Sequence, residues 1–166
     1  PFWCQAKYED NYISNHHITR KNMGLPENGF VFCSFNNSSK LSPVEFDIWM
    51  RLLKQVDGSV LWFYKSNKWV ENNIQKEAFK RGVLTNRLVF AEKVAHPVHL
   101  ARQKLADVLL DTFNSSAGVT AGDALWAGLP VVTKLGKSYG ARAGGYMLAS
   151  IEMPELITKT EQEYET

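Results

Sequence analysis

The sequence predicts an α/β fold in which a Rossmann-like parallel sheet is flanked by helices. Three observations support this prediction. Short apolar, β-prone runs alternate with segments of helical periodicity from about residue 29 onward. The connections between these segments are short, as in βαβ units. The 166 residues, 45% of them hydrophobic and 22% charged, are enough for the core of one globular domain.

The first strand and the first helix have clear boundaries. Residues 29–35 are apolar and β-prone, which indicates a buried strand. A helix is predicted to begin after Ser42, because Ser42 and Glu45 can form a capping box and Pro43 occupies the first position, where its missing N–H costs nothing. Apolar residues from Val44 to Val56 then recur at helical spacing and form one apolar face, and the helix is expected to end after Val56.

The remaining elements continue the alternation. We predict further strands at 59–64, 87–90, 106–111 and 131–133, and further helices at 69–81, 96–104, 119–126 and 140–150. The helix predicted at 69–81 has an apolar face similar to that of the first helix, and this face includes Ala78 and Phe79. The tail, residues 154–166, is a short apolar segment followed by a charged, helix-prone end. Strands and helices in this order imply right-handed crossovers and a parallel sheet covered on both faces. Because such sheets bind ligands at the carboxyl ends of their strands where the strand order reverses, the loops after the first and fourth strands are candidate sites.

The first 28 residues depart from this pattern. They are polar, with one helical turn predicted near residues 19–23. We expect residues 1–28 to join a preceding lobe and residues 29–166 to form the lobe proper. Because the chain opens on Pro1 rather than Met, we also expect a longer parent protein.

Composition and charge exclude several classes of function. The formal charge of +2, with no run of Lys and Arg longer than a pair, argues against a nucleic-acid partner. The longest apolar stretch, 60–64, is far too short to span a membrane. Two cysteines, Cys4 and Cys33, do not make a disulfide scaffold, which favours a reducing, cytoplasmic location. The four histidines lack metal-ligand spacing, so no metal is expected.

The loop after the first strand, 36–40, contains no glycine, and therefore lacks the fingerprint of dinucleotide binding. It offers two side-chain amides, two hydroxyls and the Lys40 ammonium. Two interpretations remain open at this point. The loop is either a solvated polar turn or a site where Lys40 contacts a phosphate as a point charge.

The loop after the fourth strand, 111–123, places small residues at the start of a helix. Amides at a helix N-terminus form a ready anion site, and Gly118 allows a ligand to approach the backbone. The Thr120 hydroxyl can add a donor, and Asp123 can accept hydrogen bonds from ribose hydroxyls. The alternative is that Thr120 only caps the helix and Asp123 only favours its dipole.

A third candidate segment follows the third strand. His99 and Arg102 are three residues apart on a short predicted helix, and therefore share one face. Arg102 could lie against a planar base, or the two side chains could form an ordinary surface pair.

Three segments together resemble one family. They are FVFCSFNNSSKLSP, LADVLLDTFNSSAGVTAGDALWAGLPVVT and PELITKTEQEYE, and in order and spacing they are similar to the C-terminal lobe of the O-GlcNAc transferases and their bacterial relatives. The resemblance extends from about residue 24 to the end. It implies a two-lobed GT-B glycosyltransferase that inverts, uses a UDP-sugar without a catalytic metal or other cofactor, and transfers GlcNAc to Ser or Thr of proteins. In that family most acceptor contacts lie in the other lobe.

The resemblance also assigns the diphosphate contacts. By it, Lys40 would neutralise the β-phosphate as the sugar leaves, and Asn37 would help to hold the diphosphate. Thr120 and the backbone amides of Gly118 and Val119 would bind the phosphates. These roles require Lys40 and Thr120 to converge on one pocket.

The nucleoside contacts follow in the same way. The Ala95 backbone and Arg102 would receive the uracil, His99 would flank the base, and Asp123 would bind the ribose.

Two departures from the family pattern lie in the phosphate loop. The family commonly has His-Thr-Thr where this chain has Gly118-Val119-Thr120, and Asn-Gly or Asn-Ala where it has Ser116-Ala117. Two further readings therefore stay open. One is a catalytically decayed nucleotide-binding or interaction module, and the other is a related glycosyltransferase with a different sugar or acceptor.

Overall fold

A six-stranded parallel sheet, with strand order β3-β2-β1-β4-β5-β6, forms the centre of the computed structural model, which describes residues 11–166. The strands are β1 (Val31–Ser34), β2 (Val60–Tyr64), β3 (Leu88–Ala91), β4 (Val108–Leu110), β5 (Val131–Lys134) and β6 (Ile157–Thr158). Every neighbouring pair is parallel. The prediction of a parallel α/β sheet is confirmed.

Helices connect the strands, as the alternating pattern predicts. They are α1 (Pro43–Gln55), α2 (Lys68–Lys80), α3 (His96–Gln103), α4 (Val119–Trp126), α5 (Ala143–Ser150) and α6 (Glu161–Glu165). Helix α1 begins with the expected capping box, in which Glu45 accepts from the Ser42 backbone amide at 2.7 Å. Within residues 11–166 there is no helix of the length and apolarity that crossing a membrane requires.

The core has two halves, one on each face of the sheet. Along β1, Val31 and Cys33 belong to one apolar cluster and Phe32 to the other, because successive side chains of a strand point to opposite faces. Helix α1 packs Trp49 into the Phe32 half, and α4 packs Ala121 into the other. This two-sided burial explains why the strands are continuously apolar rather than alternating.

Two expected core positions lie on the surface instead. Phe79 of α2 is 67% exposed and Val44 of α1 is 46% exposed, although both were predicted on apolar faces. Ala78 is fully buried, and consecutive residues of a helix point about 100° apart. Phe79 therefore points about 100° away from the buried Ala78, toward solvent.

The segment before residue 29 contacts the lobe as well as preceding it. Arg20 donates to the Gly29 carbonyl at 2.8 Å and pairs with Asp107 at 2.8 Å, next to β4. Leu25 is buried in the core half that contains Cys33. The predicted helical turn is present as a 3-10 turn, Lys21–Met23. Cys4 lies outside the described residues.

The sheet topology fixes where a ligand site can form. Strand β1 lies between β2 and β4, so the chain leaves it in one direction and returns on its other side. The loops that follow β1 and β4 are therefore neighbours at the carboxyl edge of the sheet, at the point where the strand order reverses.

Candidate functional site

The loop after β1 brings Lys40 to the loop after β4. The Asn37 side chain accepts from the Ser39 amide at 3.1 Å and so caps a single 3-10 turn, Ser38–Lys40. At the end of that turn the Lys40 Nζ donates to the Ser116 carbonyl at 3.1 Å. An ammonium from one loop is thus held against the loop that leads into α4.

The start of α4 has the features of an anion site. Gly118 is the N-cap residue and, having no side chain, leaves the helix without a side-chain cap. Val119 and Thr120 are the first two helical residues, Val119 exposed and Thr120 half-buried. Thr120 lies inside the helix, so it is not the cap that the alternative interpretation required. The positive end of the helix dipole lies at this N-terminus, and its N-cap Gly118 is two residues after Ser116, whose carbonyl Lys40 contacts.

A buried carboxylate lies beneath this loop. Asp111 immediately follows β4 and is completely buried. Its two oxygens accept from five donors: the amides of Thr112 (2.7 Å) and Ala117 (2.6 Å), the Asn36 side chain (3.2 Å), and the hydroxyls of Ser116 (2.5 Å) and Thr133 (2.6 Å). Burial raises the pKa of Asp111, and the hydrogen bonds oppose that rise.

The next turn of α4 presents Asp123 to α3. Its carboxylate accepts from, or pairs with, the His96 Nε2 at 3.1 Å, and its side chain is nearly buried whereas that of His96 is 45% exposed. The ribose contact expected of Asp123 stays a prediction. A carboxylate has about four lone-pair positions, so the His96 contact does not use all of them.

Arg102 and His99 contact each other, but they are not a surface pair, because Arg102 is buried and His99 is half-buried. Arg102 is only 1% exposed, and its guanidinium donates to the Glu92 carbonyl at 2.6 Å and to the His99 Nδ1 at 2.8 Å. It also lies over the Phe35 ring, 5.3 Å from its centre. The Arg102 guanidinium is thus covered by Phe35, His99 and the Glu92 carbonyl, and its contact with a base stays a prediction. His99 is half-buried beside it.

The Arg102 contact fixes the chemistry of the His99 ring. Burial, the Arg102 charge and then His96 lower the pKa of His99 from 6.5 to about 4. The ring is therefore neutral at physiological pH. Because Nδ1 accepts from Arg102, the ring proton lies on Nε2, which is left as a donor.

His99 also forms one wall of a cavity of about 250 Å³ at the ends of β1 and β2. The lining is aromatic and polar, from Phe35, Asn37, Ser38, Tyr64, Lys65, Ser66 and His99. Asn37 and His99, both predicted site residues, thus face a common space. Ala95 is the N-cap of α3, exposed at the same edge of the sheet, and its carbonyl accepts from the His99 amide at 2.9 Å.

The predicted residues therefore gather at one edge of the sheet in two groups, one around Lys40 and α4, the other around His99 and α3. The sequence reasoning missed Asp111 and His96. Asp111 had a visible signal, because a carboxylate that directly follows a buried apolar strand must be satisfied internally. His96 had none. In residues 11–166, no three His, Cys, Asp or Glu side chains cluster as a metal site would require.

A family model described as Glycosyl transferase family 41 matches residues 5–166. The chain belongs to this family. Among the relatives of this family 41 chain, the UDP-N-acetylglucosamine–peptide N-acetylglucosaminyltransferase of Caenorhabditis elegans is 37% identical over 146 residues, covering 88% of this chain and 13% of that protein. The Arabidopsis thaliana protein named "Probable UDP-N-acetylglucosamine–peptide N-acetylglucosaminyltransferase SEC" is 33% identical over 162 residues, covering 97% and 17%.

A solved structure supports the same relationship. The family 41 chain aligns with a Thermobaculum terrenum O-GlcNAc transferase mutant at a TM-score of 0.79 and 29% identity, covering 82% of this chain and 27% of that one. The resemblance to O-GlcNAc transferases and the prediction of a GT-B C-terminal lobe are confirmed. The chain spans less than a fifth of the length of the two curated relatives.

Proposed function

We propose that this chain is the donor-binding half of an inverting glycosyltransferase, which binds UDP-GlcNAc while a second lobe presents a Ser or Thr hydroxyl of a protein. Both curated relatives are named for that activity, and this chain matches only 13% and 17% of their lengths. We therefore expect this chain alone to bind UDP without transferring sugar.

The observation that supports the proposal most directly is the contact between Lys40 and the loop before α4. The Lys40 ammonium has three hydrogens, and one of them is directed at the Ser116 carbonyl. The others can bind an oxygen of the β-phosphate. In an inverting transfer the acceptor hydroxyl gives its proton to a base while its oxygen bonds to the sugar C1, and the bond from C1 to the diphosphate oxygen breaks. Negative charge therefore grows on the diphosphate. Lys40 and the first amides of α4 would stabilise that charge, with Asn37 beside them.

The nucleoside would lie toward α3. The neutral His99 ring can flank the uracil, with the Ala95 backbone at the same helix start, and Asp123 can accept from the ribose hydroxyls. Arg102 supports this arrangement from below, because it donates to the His99 Nδ1 and so orients the ring. We assign Arg102 a positioning role rather than direct contact with the base.

Calorimetric titration with UDP and with uridine tests the donor site. Lys40→Met should weaken UDP binding roughly 10- to 100-fold, because a charge-assisted contact to phosphate is lost. Uridine, which has no phosphate, should bind as before. Lys54→Met removes an exposed lysine of α1 and is the matched control.

Two results would contradict the donor site. One is the absence of heat at millimolar UDP with the fold intact by circular dichroism. The other is an equal loss of UDP and uridine affinity in Lys40→Met. We propose that no metal takes part, since Lys40 and α4 supply the positive charge. A chelator should then leave UDP affinity unchanged.

One observation favours the second candidate, a nucleotide-binding module without transferase activity. Gly118 has no side chain, and Val119 presents an apolar, 54% exposed side chain at the start of α4. At Gly118 and Val119, therefore, only backbone groups are available to hydrogen-bond a phosphate. Incubation of the full-length parent protein with labelled UDP-GlcNAc and protein acceptors separates the candidates: label transferred to Ser or Thr supports the enzyme, and UDP binding without transfer supports the module. Other UDP-sugars in the same assay identify the donor.

We also propose that the protein acts in the cytoplasm. Cys33 is a buried free thiol, which is typical of a reducing compartment. Cell fractionation of the parent protein tests this location.

A further inference from the structure

The Asp111 carboxylate is an unusually expensive group to bury. Burying a charge costs many kcal/mol unless hydrogen bonds replace its water, and Asp111 is 0% exposed. Five protein donors replace that water. Leucine or valine, which would cost nothing to desolvate, continues the strand up to position 110. A carboxylate at the next position therefore needs an explanation beyond packing.

The positions of the donors supply one. Three of the five belong to the loop between β4 and α4, namely the Thr112 amide, the Ser116 hydroxyl and the Ala117 amide. Asp111 therefore bends this loop around itself. Ala117 is held at 2.6 Å, one residue before the N-cap Gly118.

The same carboxylate also reaches the loop that carries Lys40. The Asn36 side chain donates to Asp111 at 3.2 Å and to Thr112 at 3.1 Å, and Asn36 directly precedes the turn that Asn37 caps. The Ser116 carbonyl in turn receives Lys40. Both loops of the candidate diphosphate site are thus tied to one buried group.

We propose that Asp111 is a positioning residue, which holds the start of α4 and Lys40 in register so that both can contact one diphosphate. The inference rests on the proposed function, because it assigns Asp111 a role toward the donor site. Asp111 touches no ligand. Its effect passes through the path of the loop, and a misplacement of about 1 Å at such a site is enough to weaken binding strongly.

Two buried hydroxyls provide a matched test of this role. Ser116 and Thr133 donate to the same Asp111 oxygen at 2.5 and 2.6 Å, and both are buried. Ser116 lies on the loop, and Thr133 lies on β5. The Ser116→Ala change leaves the backbone carbonyl that receives Lys40, although it also removes the acceptor of the Gly144 amide.

Binding of UDP and uridine is measured for Ser116→Ala and Thr133→Val, together with stability from denaturant unfolding. Ser116→Ala should weaken UDP about tenfold or more and change uridine by less than about twofold. Thr133→Val should lower stability and change neither affinity by more than about twofold. A purely structural role predicts the same ratio of UDP to uridine affinity in both variants, and that result would overturn the inference.

Changes at Asp111 itself add a rescue test. Asp111→Ala removes every acceptor and should weaken UDP at least as much as Ser116→Ala. Asp111→Asn should bind UDP within about threefold of the original chain. Its amide oxygen can accept from the N–H donors, and its NH2 group can donate to the Ser116 and Thr133 hydroxyls, which then act as acceptors instead of donors. A folded Asp111→Ala protein that binds UDP normally would refute the role. If Asp111→Ala does not fold, the Ser116 and Thr133 pair decides.

Hydrogen exchange at the amides of Ala117 and Gly118, measured without ligand, separates this inference from the proposed function. Faster exchange in Ser116→Ala than in Thr133→Val supports the positioning of the loop by Asp111, and equal exchange argues against it. One outcome is that the unmodified chain fails to bind UDP while exchange is still faster in Ser116→Ala than in Thr133→Val. In that case the proposed function fails, and the positioning of the loop by Asp111 stands. If Lys40→Met loses UDP but neither exchange nor affinity responds at Ser116, only the inference fails.

Discussion

His99 gives a specific prediction about the pH dependence of stability, because its surroundings in the folded protein disfavour the protonated, charged ring. The pKa of His99 falls from 6.5 to about 4 through burial and through the Arg102 charge. The unfolded chain therefore binds a proton between those two pH values that the folded chain does not. Stability must rise with pH in this window and be lost as pH falls through it.

The size of the effect follows from the shift. A difference of one pKa unit between the folded and unfolded states corresponds to about 1.4 kcal/mol. Complete protonation of His99 in the unfolded state alone would therefore lower the free energy of unfolding by about 3 kcal/mol. About 2 kcal/mol of this is lost between about pH 7 and about pH 5. Above about pH 7.5 the contribution hardly changes, since His99 is then almost entirely neutral in both states.

The assay is denaturant unfolding of the original chain and of His99→Gln at both pH values. Glutamine cannot titrate, yet its side-chain oxygen can still accept from Arg102. The original chain should lose about 2 kcal/mol more than His99→Gln between about pH 7 and about pH 5. Other titrating groups are present in both proteins and cancel in this difference.

His17→Gln is the control, because His17 is an exposed histidine outside the site. It should lose the same stability as the original chain over this pH range. The reasoning is refuted if His99→Gln and the original chain lose stability equally. Nuclear magnetic resonance of the His99 ring gives a direct check, since the ring should stay neutral at about pH 5.5.

Two further predictions concern stability alone. Tyr164→Phe removes a hydroxyl that accepts from the Trp49 Nε1 at 3.2 Å and donates to the Asp111 carbonyl at 2.9 Å, so unfolding should become about 1–3 kcal/mol easier; an unchanged denaturation midpoint would exclude a role for these bonds. Gly82 has φ +77°, and Gly82→Ala should cost about 1 kcal/mol despite open space around it. Gly140→Ala, also in open space but without a positive φ, should cost less, and equal costs would contradict the conformational argument.

The sequence was most informative where one local rule was enough. Helix α4 begins and ends as predicted, because small residues and Gly118 precede it and a glycine follows it. The capping box placed the start of α1 correctly. The position of Lys40 followed from topology, since loops after adjacent parallel strands share one edge of the sheet.

The sequence was least informative about which of two neighbouring side chains is buried and which is exposed. Helical spacing puts His99 and Arg102 on one face, but it does not tell which of the two lies underneath. Arg102 is buried because Phe35 and the Glu92 carbonyl surround it, and these come from other elements. The pairing of His96 with Asp123 likewise joins two helices, and no local pattern encodes it.

The bond from the Tyr164 hydroxyl to the Asp111 carbonyl has a consequence for how the protein is made. Those residues are 53 positions apart. A ribosome adding roughly 5–20 residues per second synthesises Asp111 several seconds before Tyr164. During that interval β4 has been made, but the carbonyl of Asp111, which directly follows β4, lacks its partner from α6. The loop between β4 and α4 therefore reaches its final hydrogen bonding late in translation, and rare codons between the two positions would lengthen that interval.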